Sequence, residues 1–303
     1  MTGQGPCRLC PRECGADRDL RPGFCGAGSG IKAARAYLHK WEEPCIAGDK
    51  GAGTVFFSGC PLRCVFCQNG PISLGAFGAE ITEDRLTEIF FELEEQGAAC
   101  IDLVTPTPYA PDIAECIKKA KNRGIGIPFV WNSDGYEKPE TLAMMDGLVD
   151  VYMPDFKYMS PDLAERYSGA ADYPVIAKKA LAEMVRQRGA PVFEDGLMKS
   201  GVIVRHLQLP GSLIDSKRVL RYLYLTYGDR IYISIMNQYT PCGDLTGYPE
   251  LGRRLTRGEY GSLVDYAEEL GITCGYTQEE GTAEESFIPQ FDLTGVLKEN
   301  GGR

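Results

Sequence analysis

Short apolar runs alternate with amphipathic helical stretches from about residue 54 to residue 270, and this alternation constrains the fold more than any other feature. The apolar runs are rich in β-branched and aromatic residues, as buried strands are. They predict six strands, at residues 54–58, 101–105, 127–131, 149–153, 202–207 and 231–236. Helical periodicity, with cap and stop residues at its ends, predicts helices at residues 82–96, 112–123, 172–188, 216–227 and 257–270.

Strands that are joined through helices pair in parallel, and right-handed crossovers curl such a series into an open or closed barrel. A full TIM barrel has eight units, whereas this chain offers six. We therefore expect an α/β fold, an incomplete (β/α)6 TIM-like barrel over residues 51–280, with its active site at the carboxyl ends of the strands. Residues 1–50, rich in Gly, Pro and Cys, predict a small Cys-rich N-terminal module, and residues 281–303 a C-terminal tail.

The chain of 303 residues has a formal net charge of −10 and no dense run of Lys or Arg. Such a chain repels phosphate backbones, so nucleic acid is not expected as a partner. It lacks any stretch of about 18 apolar residues, so no membrane helix is predicted. Its first residues have no charged start followed by an apolar core, so no secretory signal is predicted. We expect a cytoplasmic protein, in which clustered cysteines are metal ligands rather than disulfides.

Three cysteines, Cys60, Cys64 and Cys67, follow the first predicted strand with the spacing C-x3-C-x2-C. A [4Fe-4S] cluster has four irons, and Cys thiolates usually ligate all of them. Three ligands leave one iron open, and an open metal position is typical of a catalytic site. The alternatives are a structural zinc loop and plain buried thiols. The position directly after a barrel strand favours the catalytic cluster.

A second group of four cysteines, Cys7, Cys10, Cys14 and Cys25, lies in the N-terminal module. Four ligands are enough to close either a zinc site or an iron–sulfur site. The spacing does not choose between the two metals, and a reduced, loosely folded segment is the alternative. We predict a possible second metal site here.

The three-cysteine loop, with Phe66 just before its last cysteine, resembles the signature of the radical S-adenosylmethionine (SAM) superfamily. Other segments resemble the branch of that family related to pyruvate formate-lyase-activating enzyme. They are KWEEP at 40–44, GTVFFSGC at 53–60, CQN at 67–69, LVTPT at 103–107, NSDGYE at 132–137, PDFKY at 154–158, VRHL at 204–207 and MNQY at 236–239. The resemblance therefore covers nearly the whole chain.

The resemblance implies an oxidoreductase whose open iron binds SAM. Reductive cleavage of SAM then gives a 5′-deoxyadenosyl radical, which abstracts hydrogen from a substrate. The implied electron donor is reduced flavodoxin or ferredoxin. The implied substrate is a glycine of a partner glycyl-radical enzyme, and a small molecule or another protein residue is the alternative. A non-catalytic iron–sulfur or zinc protein is the alternative from another class.

Side chains of the loop and of the later strand ends are the candidate contacts to SAM. They are Phe66, Thr105, Thr107, Asn132, Ser133, Asp155, Lys157, Arg205, His206 and Asn237. The resemblance places Phe66 near the adenine and pairs Lys157 with the methionine carboxylate, whereas a plain Asp–Lys surface pair is the alternative. Many superfamily members have Gly-Gly-Glu after the second strand, but this chain has Thr-Pro-Thr-Pro at 105–108.

Two of these candidate pairs have structural alternatives. Asn132 and Ser133 are expected to reach the amino group or the ribose, but they can also form an Asx turn before Gly135. Strand alternation points Arg205 and His206 to opposite sides, so one of them faces the barrel interior. A hydrogen-bonded core histidine is the alternative for His206.

Overall fold

The structure, a computed structural model, describes residues 6–278 and 289–298. Its strands are β1 (Ile31–His39), β2 (Ala52–Phe57), β3 (Ala79–Ile81), β4 (Ile101–Val104), β5 (Phe129–Ser133), β6 (Val151–Pro154), β7 (Val192–Glu194), β8 (Leu197–Leu207), β9 (Tyr232–Met236) and β10 (Gly275–Thr277). Its helices are α1 (Pro44–Ala47), α2 (Gly70–Ser73), α3 (Glu83–Glu95), α4 (Ala110–Asn122), α5 (Pro139–Leu142), α6 (Pro161–Ser168), α7 (Tyr173–Arg188), α8 (Leu213–Tyr227) and α9 (Arg257–Leu270). Short 3-10 turns lie at Thr107–Tyr109, Ala143–Met145, Gly228–Arg230 and Pro249–Leu251.

The strands form one mostly parallel sheet in the order β10-β9-β8-β6-β5-β4-β2-β1-β3. Every neighbouring pair from β2 to β10 along this path is parallel. At the other end β1 runs antiparallel to both β2 and β3, and β7 forms an antiparallel pair with β8. The sheet does not close on itself. The predicted α/β fold with an incomplete TIM-like barrel is confirmed, and all six predicted strands are present.

The strand β1 was not predicted, although it belongs to the main sheet. It lies inside the segment 1–50 that composition assigns to the N-terminal module, and its sequence IKAARAYLH mixes alanine with charged residues of low strand propensity. Pairing with β2 and β3 overrides that propensity. The strand predicted at 127–131 begins instead at Phe129, because Pro128 has no backbone N–H to give to the ladder.

Helices cover the outer face of the sheet and build the main core. Thr82 caps α3 by accepting a hydrogen bond from the backbone N–H of Arg85, and the apolar stripe of α3 is buried. The helix α9 keeps its predicted bounds, because Thr256 and Glu259 form a capping box and Gly271 ends the helix in a left-handed conformation. No helix within residues 6–278 and 289–298 has the length and apolar character needed to cross a membrane.

The inner face of the sheet carries the side chains that alternate with those of the main core. One inner group is apolar, and Cys45 and Ile46 of α1 pack there against Ala52, Val130 and Ile203. The helix α1 therefore fills the inside of the barrel near the amino ends of β2 and β5. Of the predicted C-terminal tail 281–303, the described part is 289–298, in which Leu293 and Thr294 form backbone hydrogen bonds with Ala34 and Ala36 of β1. The rest of the predicted tail lies outside the described residues.

Candidate active site

The three-cysteine loop follows β2 and is fixed by backbone contacts. Gly59 has a φ of +97°, and an added Cβ there would lie 2.9 Å from the carbonyl oxygen of Cys25, so this position requires glycine. The next residue, Cys60, donates its backbone N–H to the same carbonyl at 3.1 Å. Phe66 is buried, with Tyr167 and Tyr239 edge-on to its ring. The loop is thus held from both sides before any ligand binds.

Of the three cysteines of the loop, Cys60 is buried and Cys64 and Cys67 are half-buried, and two of the thiols have polar partners. The Cys60 thiol donates to Oδ2 of Asp134 at 3.2 Å, and the Ser168 hydroxyl donates to the sulfur of Cys64 at 3.0 Å. Burial is the main cause that raises the pKa of all three thiols, that of Cys64 to about 12. Neighbouring thiols add to the rise at Cys60, while the Lys157 ammonium opposes it at Cys64 and Cys67.

This donor set fits an iron–sulfur cluster. Buried neutral thiols ionise when they gain positively charged irons, which is how thiolates become metal ligands. Within the described ranges, no three His, Cys, Asp or Glu side chains are grouped so as to hold a single metal ion. A [4Fe-4S] cluster places each thiolate on a different iron, so its ligands stand farther apart than the ligands of one ion. The three thiols of the loop match the three-cysteine donor set of a [4Fe-4S] cluster with one open iron.

A cavity of about 510 Å³ extends from this loop along the inner face of the sheet. Such a volume is in the range of about 300–1,000 Å³ that is usual for small-molecule sites. It is lined by residues of the cysteine loop, of most parallel strands and of the turn after β1. They are His39, Trp41, Glu42, Glu43, Pro44, Phe56, Cys64, Phe66, Cys67, Gln68, Asn69, Val104, Asn132, Asp155, Lys157, Arg205, Leu207, Ser234, Met236, Gln238, Tyr276, Thr277, Gln278 and Pro289.

Asp155, Lys157 and Arg205 form a linked set of charges in this cavity. Nζ of Lys157 lies 2.6 Å from Oδ2 of Asp155, and Nε of Arg205 lies 3.1 Å from its Oδ1. Burial disfavours the charge on Asp155, but the two cations outweigh it and hold the pKa of Asp155 below its usual value. Asp155 is therefore ionised at neutral pH, and the pKa values of both cations are raised despite burial. The predicted Asp–Lys pair is inside the cavity and not on the surface.

Arg205 extends the charged set toward the turn after β1. Its guanidinium donates to Oδ1 of Asn132 at 2.7 Å and to Oε2 of Glu42 at 3.3 Å. The amide of Asn132 donates in turn to Asp102, at 3.4 Å. Asn132 therefore bridges Asp102 on the adjacent strand β4 and Arg205 on β8, one strand further away, and these two residues orient its side chain.

Three predicted residues in the turns after β4 and β5, Thr105, Thr107 and Ser133, lie outside the lining of this cavity. Thr107 and Ser133 donate to Glu137 at 2.8 and 2.6 Å, and Nε1 of Trp131 donates to the same buried carboxyl group at 2.8 Å. The backbone N–H of Gly135 also donates to Oγ of Ser133 in a serine turn, while an Asx turn is formed by Asp134, whose Oδ1 accepts from the backbone N–H of Tyr136. Thr105, with a positive φ of 57°, is tied to β5 through its backbone N–H. These contacts hold the turns after β4 and β5 in place.

His206 and Asn237 are not among the lining residues either. His206 is fully buried, and its Nδ1 lies 2.8 Å from the carbonyl oxygen of Phe156. Burial lowers the pKa of His206 to about 4, so the ring is neutral. Strand alternation is confirmed, since Arg205 faces the cavity and His206 the core. The backbone N–H of Asn237 donates to Oε1 of Gln278, while its neighbour Gln238 lines the cavity.

Sequence reasoning missed several polar residues of the cavity. Glu42 and Glu43 line it, although the segment at 40–44 predicts only the family resemblance and no role in the site. Asp102 is a buried acidic residue in an otherwise apolar run, and an acidic residue at such a position is a sequence signal for a polar interior site. Asp134, which contacts the Cys60 thiol, lies in a segment that predicted only a turn.

The N-terminal cysteines pack beside the three-cysteine loop. Cys25 and Cys10 are largely buried, and burial raises the pKa of both thiols, that of Cys10 to about 12. A Cβ on Gly23 would lie 3.3 Å from the sulfur of Cys14 and 3.6 Å from that of Cys25, so glycine leaves these two sulfurs room near each other. The guanidinium of Arg12 donates to the carbonyl oxygens of Pro61 and Ser168, each at 2.9 Å. The segment is thus docked on the loop.

Comparison with known families agrees with this geometry. Residues 54–201 match the family described as Radical SAM superfamily. The chain has a radical SAM domain. This radical SAM domain contains the three-cysteine loop and the Asp155–Lys157 pair. The family implies a [4Fe-4S] cluster and SAM for this domain.

Relatives of the radical SAM domain extend the comparison. The chain is 28% identical over 277 residues to "Uncharacterized protein MJ0674" of Methanocaldococcus jannaschii, a match that covers 89% of this chain and 76% of that protein. The crystal structure of Streptococcus suis SuiB bound to precursor peptide SuiA gives a TM-score of 0.50 at 13% identity, over 74% of this chain and 47% of SuiB. SuiB bound to S-adenosylmethionine has the same score and identity, over 74% and 49%. This chain spans about half the length of SuiB, and the likeness concerns the fold.

Proposed function

We propose that this chain is a radical SAM enzyme that abstracts a hydrogen atom from a peptide or protein segment, with a glycine of a partner enzyme as the substrate residue. One observation carries the proposal: Cys64, Cys67, Asp155 and Lys157 open into the same cavity. A cluster and a zwitterionic ligand can therefore meet there. The buried Asp155–Lys157 pair supplies one charge of each sign, as the methionine part of SAM requires.

The residues of the chain hold and orient the reactants. Cys60, Cys64 and Cys67 would hold the cluster, which, when bound with SAM and reduced, supplies the radical that removes hydrogen. Lys157 would bind the methionine carboxylate, and Asp155 would bind its ammonium group. Phe66 would pack near the adenine, as the resemblance implies; its side chain lines the cavity and is held edge-on by Tyr167 and Tyr239. Arg205 and Asn132 would reach the ribose or the carboxylate.

A second cavity supports a peptide or protein substrate over a small molecule. It has a volume of about 900 Å³ and adjoins the first at His39, Trp41 and Pro289. Trp41 is 60% exposed and lies at this junction. A chain segment could lie in the outer cavity and extend one residue into the inner one. SuiB, which shares the fold, has been crystallised with a precursor peptide.

Two partners of the reaction follow from the same proposal. Reduced flavodoxin or ferredoxin would supply the electron. Cys7, Cys10, Cys14 and Cys25 would bind zinc or a second iron–sulfur cluster. The sulfurs of Cys14 and Cys25, which both lie beside Gly23, support this part of the proposal. A second cluster would lie on the route of the electron, whereas zinc would stabilise the module.

Anaerobic reconstitution tests the core of the proposal. The full chain is loaded with iron and sulfide, reduced and mixed with SAM, and 5′-deoxyadenosine is measured. We expect product from the intact protein and none from Cys60→Ala, Cys64→Ala or Cys67→Ala, while Cys274→Ala, in a half-buried cysteine away from the loop, keeps the product. Absence of product from the intact protein with its cluster present would refute the enzyme assignment.

The choice of substrate needs a separate measurement. Candidate glycyl-radical partners are added to the reduced enzyme with SAM, and the mixture is examined by electron paramagnetic resonance. A glycine-centred doublet that requires Cys60 supports the proposed substrate. Cleavage of SAM without such a signal, but with hydrogen loss from a small molecule, favours the alternative.

A further inference from the structure

We propose that a surface patch formed by Arg12, Phe24 and Arg63 is the docking site of the electron donor, a redox protein with an acidic surface such as a reduced flavodoxin. The inference rests on the proposed function, because it locates the side from which the electron that cleaves SAM is delivered. None of the three residues lines either of the two cavities described above. A donor on this patch would therefore leave the cavities free for SAM and the substrate.

Two guanidinium groups lie against one aromatic ring in this patch. The guanidinium carbon of Arg12 is 4.5 Å from the centroid of the Phe24 ring, and that of Arg63 is 5.3 Å from it. Phe24 is 42% exposed, and Arg63 is exposed as well. Arginine and aromatic side chains are enriched at protein–protein interfaces, where a few of them contribute most of the binding energy. The composition of the patch is therefore typical of an interface.

The positive charge of the patch has no carboxylate partner among the described residues. Arg12 donates to three backbone carbonyl oxygens, and Arg63 donates to one. The ion pairs that arginines form with carboxylates in residues 6–278 and 289–298 all involve other arginines. Glu13, which follows Arg12 in the sequence, pairs with Lys138 at 2.6 Å. A carboxylate of a partner can therefore bind Arg63 without breaking an existing ion pair.

The surroundings of the patch are basic although the chain is acidic. The N-terminal segment at 6–28 and the cysteine loop at 59–69 together contain five arginines and three acidic residues, a formal charge of +2. The whole chain has a formal charge of −10. An acidic protein is repelled by the chain as a whole and attracted to this part of it, which steers its approach and favours its association here. The partner that fits is therefore a redox protein with acidic side chains around its redox group, as in most flavodoxins.

The patch adjoins both groups of cysteines. Arg63 stands between Cys60 and Cys64 in the loop, and Phe24 precedes Cys25, whose carbonyl oxygen accepts the backbone N–H of Cys60 at 3.1 Å. The rate of electron transfer falls steeply with distance, so a donor has to bind close to the cluster that it reduces. A donor on this patch meets that requirement whichever metal the N-terminal cysteines bind.

The backbone of Arg63 agrees with a role for its side chain. Its φ of +56° lies in the left-handed region, which glycine adopts freely and residues with a Cβ adopt at a cost. Such conformations are frequent at functional sites, where the surrounding structure holds them in place. Arg63 is held by its ring contact with Phe24 and by a 3.1 Å hydrogen bond to the carbonyl oxygen of Phe24. Its guanidinium group is therefore preorganised for a partner.

Two reductants and one binding measurement test the inference on the full, anaerobically reconstituted chain. Formation of 5′-deoxyadenosine is measured with dithionite, a small reductant that needs no docking site, and with a limiting concentration of reduced flavodoxin. We expect Arg63→Glu to lower the flavodoxin-driven rate at least about tenfold and to leave the dithionite-driven rate unchanged. The Kd for oxidised flavodoxin, measured by calorimetry at low ionic strength, should rise by a similar factor.

Arg221→Glu is the matched control, because Arg221 is exposed on α8, which joins β8 to β9, whereas the cysteine loop follows β2. This variant should change neither rate nor the Kd. Arg63→Gln removes the charge with less disturbance of the loop and should give a smaller loss of the same kind. It takes the place of Arg63→Glu in the comparison if the glutamate variant loses its iron.

The inference is overturned if the Arg63 variants match Arg221→Glu in the flavodoxin-driven rate and in the Kd. It is also overturned if the dithionite-driven rate falls as far as the flavodoxin-driven rate, because Arg63 would then act within the site. Absence of 5′-deoxyadenosine from the intact chain with dithionite would refute SAM cleavage instead. The comparison of Kd values needs no turnover, so it still decides whether the patch binds the donor.

Discussion

The backbone N–H of Cys60 donates a 3.1 Å hydrogen bond to the carbonyl oxygen of Cys25. This bond joins one cysteine of the N-terminal group directly to a predicted cluster ligand. Around it, Gly59 leaves space for the same carbonyl, and Arg12 holds the loop at Pro61. The segment with the N-terminal cysteines and the three-cysteine loop therefore stabilise each other, and a change in either is expected to affect the other.

Arg12→Ala should loosen the contact between these two segments. The change removes donors to the carbonyl oxygens of Pro61 and Ser168 and exposes the ring of Phe24, which lies 4.5 Å from the guanidinium carbon. We expect a loss of about 2 kcal/mol in stability and faster loss of iron from the reconstituted protein. Iron retention against a chelator and the thermal midpoint measure the effect. Arg21→Ala, which removes an exposed arginine of the same segment, should leave both unchanged.

Gly59→Ala should be much more harmful than the same change at a glycine with open space around it. The added Cβ would meet the Cys25 carbonyl at 2.9 Å in a backbone conformation that L residues avoid. We expect a destabilisation of about 1–3 kcal/mol in chemical unfolding. Gly261→Ala, in α9 with open space around the new atom, should instead stabilise the protein by up to about 1 kcal/mol. Equal effects of the two changes would contradict this account of the loop.

Lys157→Met should weaken SAM binding while the shape of the side chain at position 157 stays nearly the same. The change keeps an unbranched chain but removes the ammonium group that lies 2.6 Å from Asp155. Asp155 keeps Arg205 as a partner, so the fold should survive, whereas the methionine carboxylate loses its proposed counter-charge. We expect at least about a tenfold higher Kd for SAM, a loss of about 1.4 kcal/mol, in calorimetry of the reconstituted protein. An unchanged Kd would show that Lys157 does not bind SAM.

Glu137→Gln should change how stability depends on pH. Burial raises the pKa of Glu137 from 4.5 to about 7, so the folded state holds this proton more tightly than the unfolded state. The stability contributed by that proton is fully present below about pH 4.5 and is lost as the pH rises toward 7, at up to about 1.4 kcal/mol per pH unit. Glutamine cannot lose the proton, so urea unfolding at pH 5 and pH 7 should differ less in the variant than in the wild type. Equal differences would mean that Glu137 titrates normally.

The sequence predicts more of the sheet than of the candidate site. The six parallel strands were predictable because β-branched runs separated by helices admit few topologies, and the place of the cysteine loop followed from the first of them. The strand β1 was missed because its pairing is a long-range effect that local propensity opposes. Thr107 and Ser133 were expected to contact SAM. Their hydroxyl groups instead donate hydrogen bonds to Glu137, which is distant in sequence from Thr107.

The contacts of Glu42 and Arg205 in the cavity were equally impossible to predict from the sequence. Glu42 follows the unpredicted strand β1, so its approach to Arg205 on β8 could not be derived from spacing. The prediction that Arg205 and His206 point to opposite sides of β8 was correct, because alternation along a strand is a local rule. Local periodicity gives the direction of a side chain, but its partner depends on how the whole sheet is ordered.

The open sheet has a consequence for what the cavity can admit. His39 of β1 and Tyr276 of β10 line the same cavity, yet no described backbone hydrogen bond links these two strands. The distance between them can therefore change without breaking the ladder that stabilises the sheet. The entrance of the cavity can therefore widen for a large substrate and narrow around a small one without loss of sheet hydrogen bonds. A closed barrel would have to break such bonds to do the same.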